Sequence, residues 1–250
     1  MNNNFLIPFI ISFIAGLSTL IGCFFIYIKP KNINCFIGIS LSFSAMIMIL
    51  ISLFELIPEG FFYFENKYGI FYSIIILIIM LFVGYIINIL INKSINKSSI
   101  ESSNLYRVGI LSMIALMIHN LPEGIITFLT SSVNIELGLK LGIAIMMHNI
   151  PEGIAIAVPL YYSTGSRKKS FISVFLSGLS EPFGALIAYL FLYKFISDTM
   201  ISFILLFVAG IMISISINDI FEEAHKYCGK YIFMGIFLSF FLFFVTEFIF

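Results

Sequence analysis

The chain has 250 residues, of which 60% are hydrophobic and only 10% charged, with a formal net charge of zero. Soluble domains carry roughly 45–50% apolar and about 25% charged residues, so this composition excludes a chain that folds mostly in water. The neutral balance names no partner by itself, and no nucleic-acid partner is expected.

Apolar stretches lie near residues 5–28, 35–62, 70–92, 105–130, 138–162, 171–193, 200–222 and 230–250. A helix rising about 1.5 Å per residue needs about 20 residues to cross a hydrocarbon core of roughly 30 Å, and each stretch is long enough. The expected fold class is an all-α integral membrane protein of eight transmembrane helices, a single domain over residues 1–250. The first stretch follows Met1-Asn2-Asn3-Asn4, without a basic n-region or a cleavage site, so it is expected to remain as a helix. Near the far end of the second, Glu55 and Glu59 stand at i, i+4 in Phe54-Glu55-Leu56-Ile57-Pro58-Glu59-Gly60. The third leads into a polar connection from Asn92 to Asn104, NKSINKSSIESSN, which reads as a flexible loop. Its NxS matches at Asn92 and Asn96 have meaning only in a secretory lumen. Cys23, Cys35 and Cys228 have no CxxC spacing and are expected to be bystanders.

Positive charge is distributed unevenly. Lys29, Lys31, Lys93, Lys97, Arg107, Arg167, Lys168, Lys169, Lys226 and Lys230 lie at the odd-to-even connections, ten of the thirteen basic residues. Only Lys67, Lys140 and Lys194 belong to the other side. The positive-inside rule then makes the odd-to-even connections cytoplasmic and places both termini outside, as an even helix count requires. The run Arg167-Lys168-Lys169 reads as a topology anchor rather than a lipid-headgroup site.

Polar residues inside the spans carry the chemistry. Span four contains His119-Asn120-Leu121-Pro122-Glu123-Gly124, and span five repeats it as His148-Asn149-Ile150-Pro151-Glu152-Gly153, offset by 29 residues. A charged group at the bilayer centre costs at least about 2.5–3.5 kcal/mol, so each needs a partner or a purpose. One membrane histidine often does no more than bond a neighbouring helix, but two copies of a six-residue motif ask for more. His and Glu at i, i+4 share a helix face, so two such helices offer His119, Glu123, His148 and Glu152 to one point. That nitrogen and oxygen set suits zinc and similar divalent ions. Each proline frees the carbonyl four residues earlier and is expected to kink its helix around a cavity, while the glycines permit close helix approach. Span six adds Ser180-Glu181-Pro182. Asn120 and Asn149 can turn amide oxygens toward Glu181, giving a second site that shares Glu123 and Glu152 as bridges. Near the basic end of span seven, Asp219 and Glu223 repeat the i, i+4 acid pair. With Glu55 and Glu59 they are read as acidic mouths for access and exit, and their opposed placement hints at an inverted repeat. His225 is expected in solvent and Glu247 at the interface.

The paired HNxPEG motifs, the SEP motif and eight helices with outside termini resemble the ZIP family of zinc and iron transporters, in its bacterial form. The resemblance implies a multi-pass protein of the bacterial cytoplasmic membrane that takes up zinc, with iron, manganese, cobalt or cadmium as further cargo. It implies His119, Glu123, His148 and Glu152 as the zinc site and Asn120, Glu123, Asn149, Glu152 and Glu181 as a ferrous-iron site. It also implies a homodimer. Zinc and iron are cargo here, and no prosthetic group is expected. The loop from Asn92 to Asn104 lacks the histidine cluster of many eukaryotic relatives, which puts loop-based metal sensing in doubt. An enzyme is not expected. The alternative, an intramembrane zinc-dependent hydrolase, would need an HExxH-like base or an open ligand position beside an acid, and a haem carrier on His119 and His148 sits badly with the adjacent carboxylates. Alternating access around the mid-membrane site is the expected mechanism.

Overall fold

The computed structural model describes residues 5–97, 104–192 and 197–249, all of them in helices or short connections. Seven helices among them are long and apolar enough to cross a membrane. We number them α1 (Leu6–Tyr27), α2 (Ile33–Tyr68), α3 (Ile70–Lys97), α4 (Asn104–Val133), α5 (Ile135–Thr164), α6 (Arg167–Phe191) and α7 (Asp198–Tyr227). α8 (Ile232–Ile249) is apolar as well, but its continuous apolar stretch, Gly229–Val245, is shorter. Residues 98–103 of the expected connection from Asn92 to Asn104 lie outside the described residues, and its first part is not loop but continues α3 to Lys97.

Several helices run past the apolar stretches that announced them, because polar residues cap them. Asn32 accepts from the Cys35 amide at 3.1 Å, and Asn134 accepts from the amides of Glu136 and Leu137 at 2.9 and 3.2 Å. Ser166 and Ser197 cap α6 and α7 in the same way. Each side-chain oxygen takes up an amide that the first turn leaves without a partner. α5 stops at Gly165, whose φ of 65° is left-handed and whose N–H reaches the Tyr161 carbonyl at 2.7 Å. A glycine adopts that conformation without a Cβ penalty.

The helices sort into two bundles. α1, α4, α5 and α6 pack on one another, as do α2, α3, α7 and α8, and the two groups meet along a seam where α2 faces α5 and α4 faces α7. Glycines set the spacing inside each bundle. A Cβ on Gly22 or Gly153 would collide with the other's backbone, joining α1 to α5, and Gly16 and Gly178 stand in the same relation between α1 and α6. In the second bundle, Gly84 of α3 and Gly210 of α7 meet each other's helix at backbone contact. Removing a side chain lets two helices approach until carbonyls touch, which adds dispersion contact where lipid supplies no hydrophobic drive between helices.

The motif prolines do not break their helices. α4 and α5 run without interruption through Pro122 and Pro151. Irregular backbone appears instead in α2 at a π turn, Ser52–Leu56, in α7 at a second π turn, Ser216–Ile220, and in α6 at Leu179, just before Ser180-Glu181-Pro182. A π turn admits an extra residue and so rotates the next helical turns relative to the preceding ones. The π turns of α2 and α7 contain Glu55 and Asp219, and a third π turn, Ala188–Leu192, ends α6.

Candidate metal centre

The centre is assembled in the first bundle. α4 and α5 bring His119 Nε2 to 3.0 Å from Glu123 Oε1, one turn along its own helix, and to 3.6 Å from Glu152 Oε1 across the helix pair. All three residues are buried, as are Asn120, Asn149 and Glu181. The His148 side chain lies outside the described residues, and its backbone stands in α5 one turn before Glu152. No three described His, Cys, Asp or Glu side chains form a finished cage. His119, Glu123 and Glu152 converge on one imidazole nitrogen rather than around a common point.

The asparagines hold the carboxylates. With its amide oriented so that both N–H groups meet acceptors, Asn120 donates to the Leu116 carbonyl at 2.8 Å and to Glu152 Oε2 at 3.2 Å. Asn149 Nδ2 donates to Glu181 Oε1 at 2.5 Å and to the Ala15 carbonyl of α1 at 2.9 Å. This reverses one sequence expectation, since Asn149 faces Glu181 through its nitrogen. An amide oxygen and a carboxylate oxygen are both acceptors, so the amide meets the carboxylate through its N–H. Asn149 Oδ1 is buried with no hydrogen-bond partner among the described residues.

The motif prolines and glycines have separate tasks. Hydroxyls flank Pro151: Ser18 Oγ of α1 donates to the Met146 carbonyl at 3.2 Å, and Ser44 Oγ of α2 donates to the Pro151 carbonyl at 3.0 Å. Such bonds serve backbone acceptors that no water reaches. Gly124 lies flat against the Glu181 backbone, and Gly184 of α6 lies against the Leu121 carbonyl. Backbone contact thus fixes the first motif to SEP, while Gly153 fixes the second motif to α1, which Gly16 and Gly178 tie to α6. The contribution of α1 is what sequence reasoning missed. Its available signal was the small and hydroxylated run Ala15, Gly16, Ser18, Thr19 and Gly22.

The outlying acids divide into two sets. Glu59, Tyr63 and Asp198 line a cavity of about 520 Å³, together with Ile126, Thr130 and Asn134, at the end of the molecule away from the basic connections. It opens on the seam, with walls from α2, α4, α5 and α7, and Ile126 stands three residues beyond Glu123. Glu55 is half-buried in its π turn. At the basic end the acids are paired. Asp219 Oδ1 lies 3.3 Å from Arg107 Nη2, and Glu223 lies 3.2 Å from Lys226, which also holds Glu222 at 2.9 Å. His225 is exposed, Cys23 is a buried free thiol, Cys35 is half-buried, and the side chains of Cys228 and Glu247 lie outside the described residues.

Two bundles of apolar helices with a buried imidazole–carboxylate cluster inside one of them define a multi-pass membrane protein with a polar centre suited to a cation. Residues 91–246 match the family model described as ZIP Zinc transporter, and the chain belongs to that family. Among its relatives are proteins named Zinc transporter ZupT. That of Clostridium perfringens is 35% identical, covering 90% of this chain and 88% of the relative. That of Akkermansia muciniphila is 37% identical over 90% of each, and that of Shigella flexneri is 36% identical over 86% and 85%.

Proposed function

We propose that this chain takes up zinc across the cytoplasmic membrane of a bacterial cell, with the ion in transit held by His119, Glu123, His148 and Glu152. The observation that carries the reading is the buried approach of His119 to both Glu123 and Glu152. Two carboxylates in a low-dielectric interior are costly together, and one divalent cation compensates both. Metal arrival displaces whatever protons the set holds, so binding is coupled to deprotonation of the ligands. Asn120, Asn149 and Glu181, with Glu123 and Glu152 as bridges, form a second oxygen-rich position whose hard donors suit ferrous iron or manganese. Cobalt and cadmium are further cargo for the imidazole-bearing position.

The basic end faces the cytoplasm on this reading, which puts both termini outside when Gly229–Val245 is counted as the eighth span. The cavity lined by Glu59 and Asp198 then opens outward and concentrates cations. Glu55 lies on the same side, and the ion departs past Asp219 and Glu223. Residues 1–250 work as one transport unit, and two copies pair, with the largely uncovered apolar surface of α3 as the face that favours it. The ion is cargo, and neither carboxylate near His119 is left over as the general base of a hydrolase. Uptake of radiolabelled zinc by vesicles containing the purified chain tests the function. Uptake above that of protein-free vesicles, abolished by Glu152→Gln at unchanged abundance, is the expected result, and equal uptake by both proteins overturns it.

A further inference from the structure

The cavity and the Arg107–Asp219 pair lie on one seam at opposite ends. Arg107 belongs to α4 in the first bundle and Asp219 to α7 in the second, so their contact at 3.3 Å ties the bundles together at the basic end. At the other end the same two helices part to form walls of the cavity. The pair is one-sided in its burial: the Asp219 side chain is 5% exposed and that of Arg107 31%. A carboxylate so placed depends on its partner, whereas the guanidinium keeps access to water. Its second oxygen accepts from Asn88 Nδ2 of α3 at 3.3 Å, and Asn88 is itself held by Ser214 at 2.9 Å. Asp219 is therefore fixed to the second bundle by neutral groups. Arg107 joins it to the first, and the π turn Ser216–Ile220 carries Asp219 itself. The other acids of this end, Glu222 and Glu223, are paired with Lys226 of their own helix, and Glu222 also feels the charge of Arg107.

We propose that Arg107 is a positioning residue of the transport cycle, a tethered cation that holds Asp219 across the seam and keeps the basic end shut while the opposite cavity is open. The proposal rests on the transport reading above. α4 also bears His119 and Glu123, twelve and sixteen residues further on, so the latch and the metal centre move as one rigid helix. A divalent ion has twice the charge of a guanidinium, and at equal distance it attracts a carboxylate twice as strongly. An ion arriving at the basic end displaces Arg107 from Asp219, and the seam opens there as it closes at the cavity. Release of cargo and opening of the exit are then the same event.

The test reads conformation without any metal. In the full chain, with Cys23→Ala, Cys35→Ser and Cys228→Ser, a reporter Thr130→Cys in the cavity wall is labelled by a maleimide in lipid nanodiscs containing chelator. Rates are taken per folded molecule recovered from size exclusion. Arg107→Gln and Asp219→Asn each lower the labelling rate by about three- to tenfold, because the cavity is then shut for more of the time. Arg107→Lys retains most of the parental rate, and the exchange Arg107→Asp with Asp219→Arg restores it. Parental labelling in both single variants overturns the latch, as does a folded charge-exchanged protein that stays slow. Zinc uptake is measured on the same proteins. Its absence from the parent, with the labelling pattern intact, would sink the zinc reading and leave the latch standing.

Discussion

Replacing Gly124 by Ala tests whether the metal centre depends on backbone contact between α4 and α6. A Cβ built on Gly124 falls on the Glu181 carbonyl and lies 2.6 and 2.7 Å from its C and Cα atoms. Ordinary carbon–carbon contact begins near 3.5 Å, so the helices must part locally by about 1 Å. The bond from Asn149 Nδ2 to Glu181 Oε1, now 2.5 Å, would lengthen toward or beyond the limit of a useful hydrogen bond. Overpacking of this kind costs about 1–3 kcal/mol of stability, a burden that need not unfold the protein but misplaces its ligands. Gly142→Ala is the matched control on α5, since its Cβ meets only the Cγ2 methyl of Ile11, the end of a side chain that can turn away. Zinc uptake per molecule in vesicles should fall about tenfold or more in Gly124→Ala and by less than about twofold in Gly142→Ala. Equal uptake by the two variants at equal abundance would refute the argument that the glycine sets the site's dimensions.

Orientation is checked with single cysteines in the cysteine-free background: Glu136→Cys should react with an impermeant reagent on intact cells, whereas Lys168→Cys should react only after permeabilisation. Reversed labelling would turn the transporter round. His119→Ala removes the nitrogen that both Glu123 and Glu152 approach, and zinc uptake should drop by about two orders of magnitude while abundance stays within about twofold. Normal uptake would move the site elsewhere. Glu181→Ala removes the partner of Asn149 and leaves the four proposed zinc ligands, so iron uptake should fall more than zinc uptake in the same vesicles at fixed pH. An equal fall in both would merge the two positions into one, and no change would make Glu181 a packing residue.

The chemistry was legible because it is written locally and twice. His119, Asn120 and Glu123 are one turn apart, and so are their counterparts from His148 to Glu152, so helix periodicity alone puts them on shared faces. Hydropathy found the spans but misplaced their ends, since Asn32, Asn134, Ser166 and Ser197 extend helices through hydrogen bonds that a hydropathy window does not weigh. The prolines are a related case. Pro122 and Pro151 each removed a donor, yet α4 and α5 remain continuous helices through them. Two features had no local signal at all. The π turns at Glu55 and Asp219 depend on how α2 and α7 pack, and the Arg107–Asp219 pair joins residues 112 apart in sequence.

The glycines also say where this molecule can move. Each described close approach of a glycine to a second helix joins two members of the same bundle: Gly16 to α6, Gly22 to α5, Gly124 to α6, Gly60 and Gly84 to α7, and Gly235 to α2. The seam is made differently, from side chains such as Ser44 on the Pro151 carbonyl and Arg107 on Asp219. Backbone pressed on backbone has no rotamer to change, so relative sliding of two such helices must break the whole contact at once. Side-chain contacts can be exchanged one at a time, at about 0.5–1.5 kcal/mol for a neutral hydrogen bond. The proposed metal centre lies inside one glycine-stitched bundle, while the cavity lies between the two. On the proposed reading, an ion held by α4, α5 and α6 changes the side it faces most cheaply when its bundle shifts against α2 and α7 as a body, with the ligand geometry carried along unchanged.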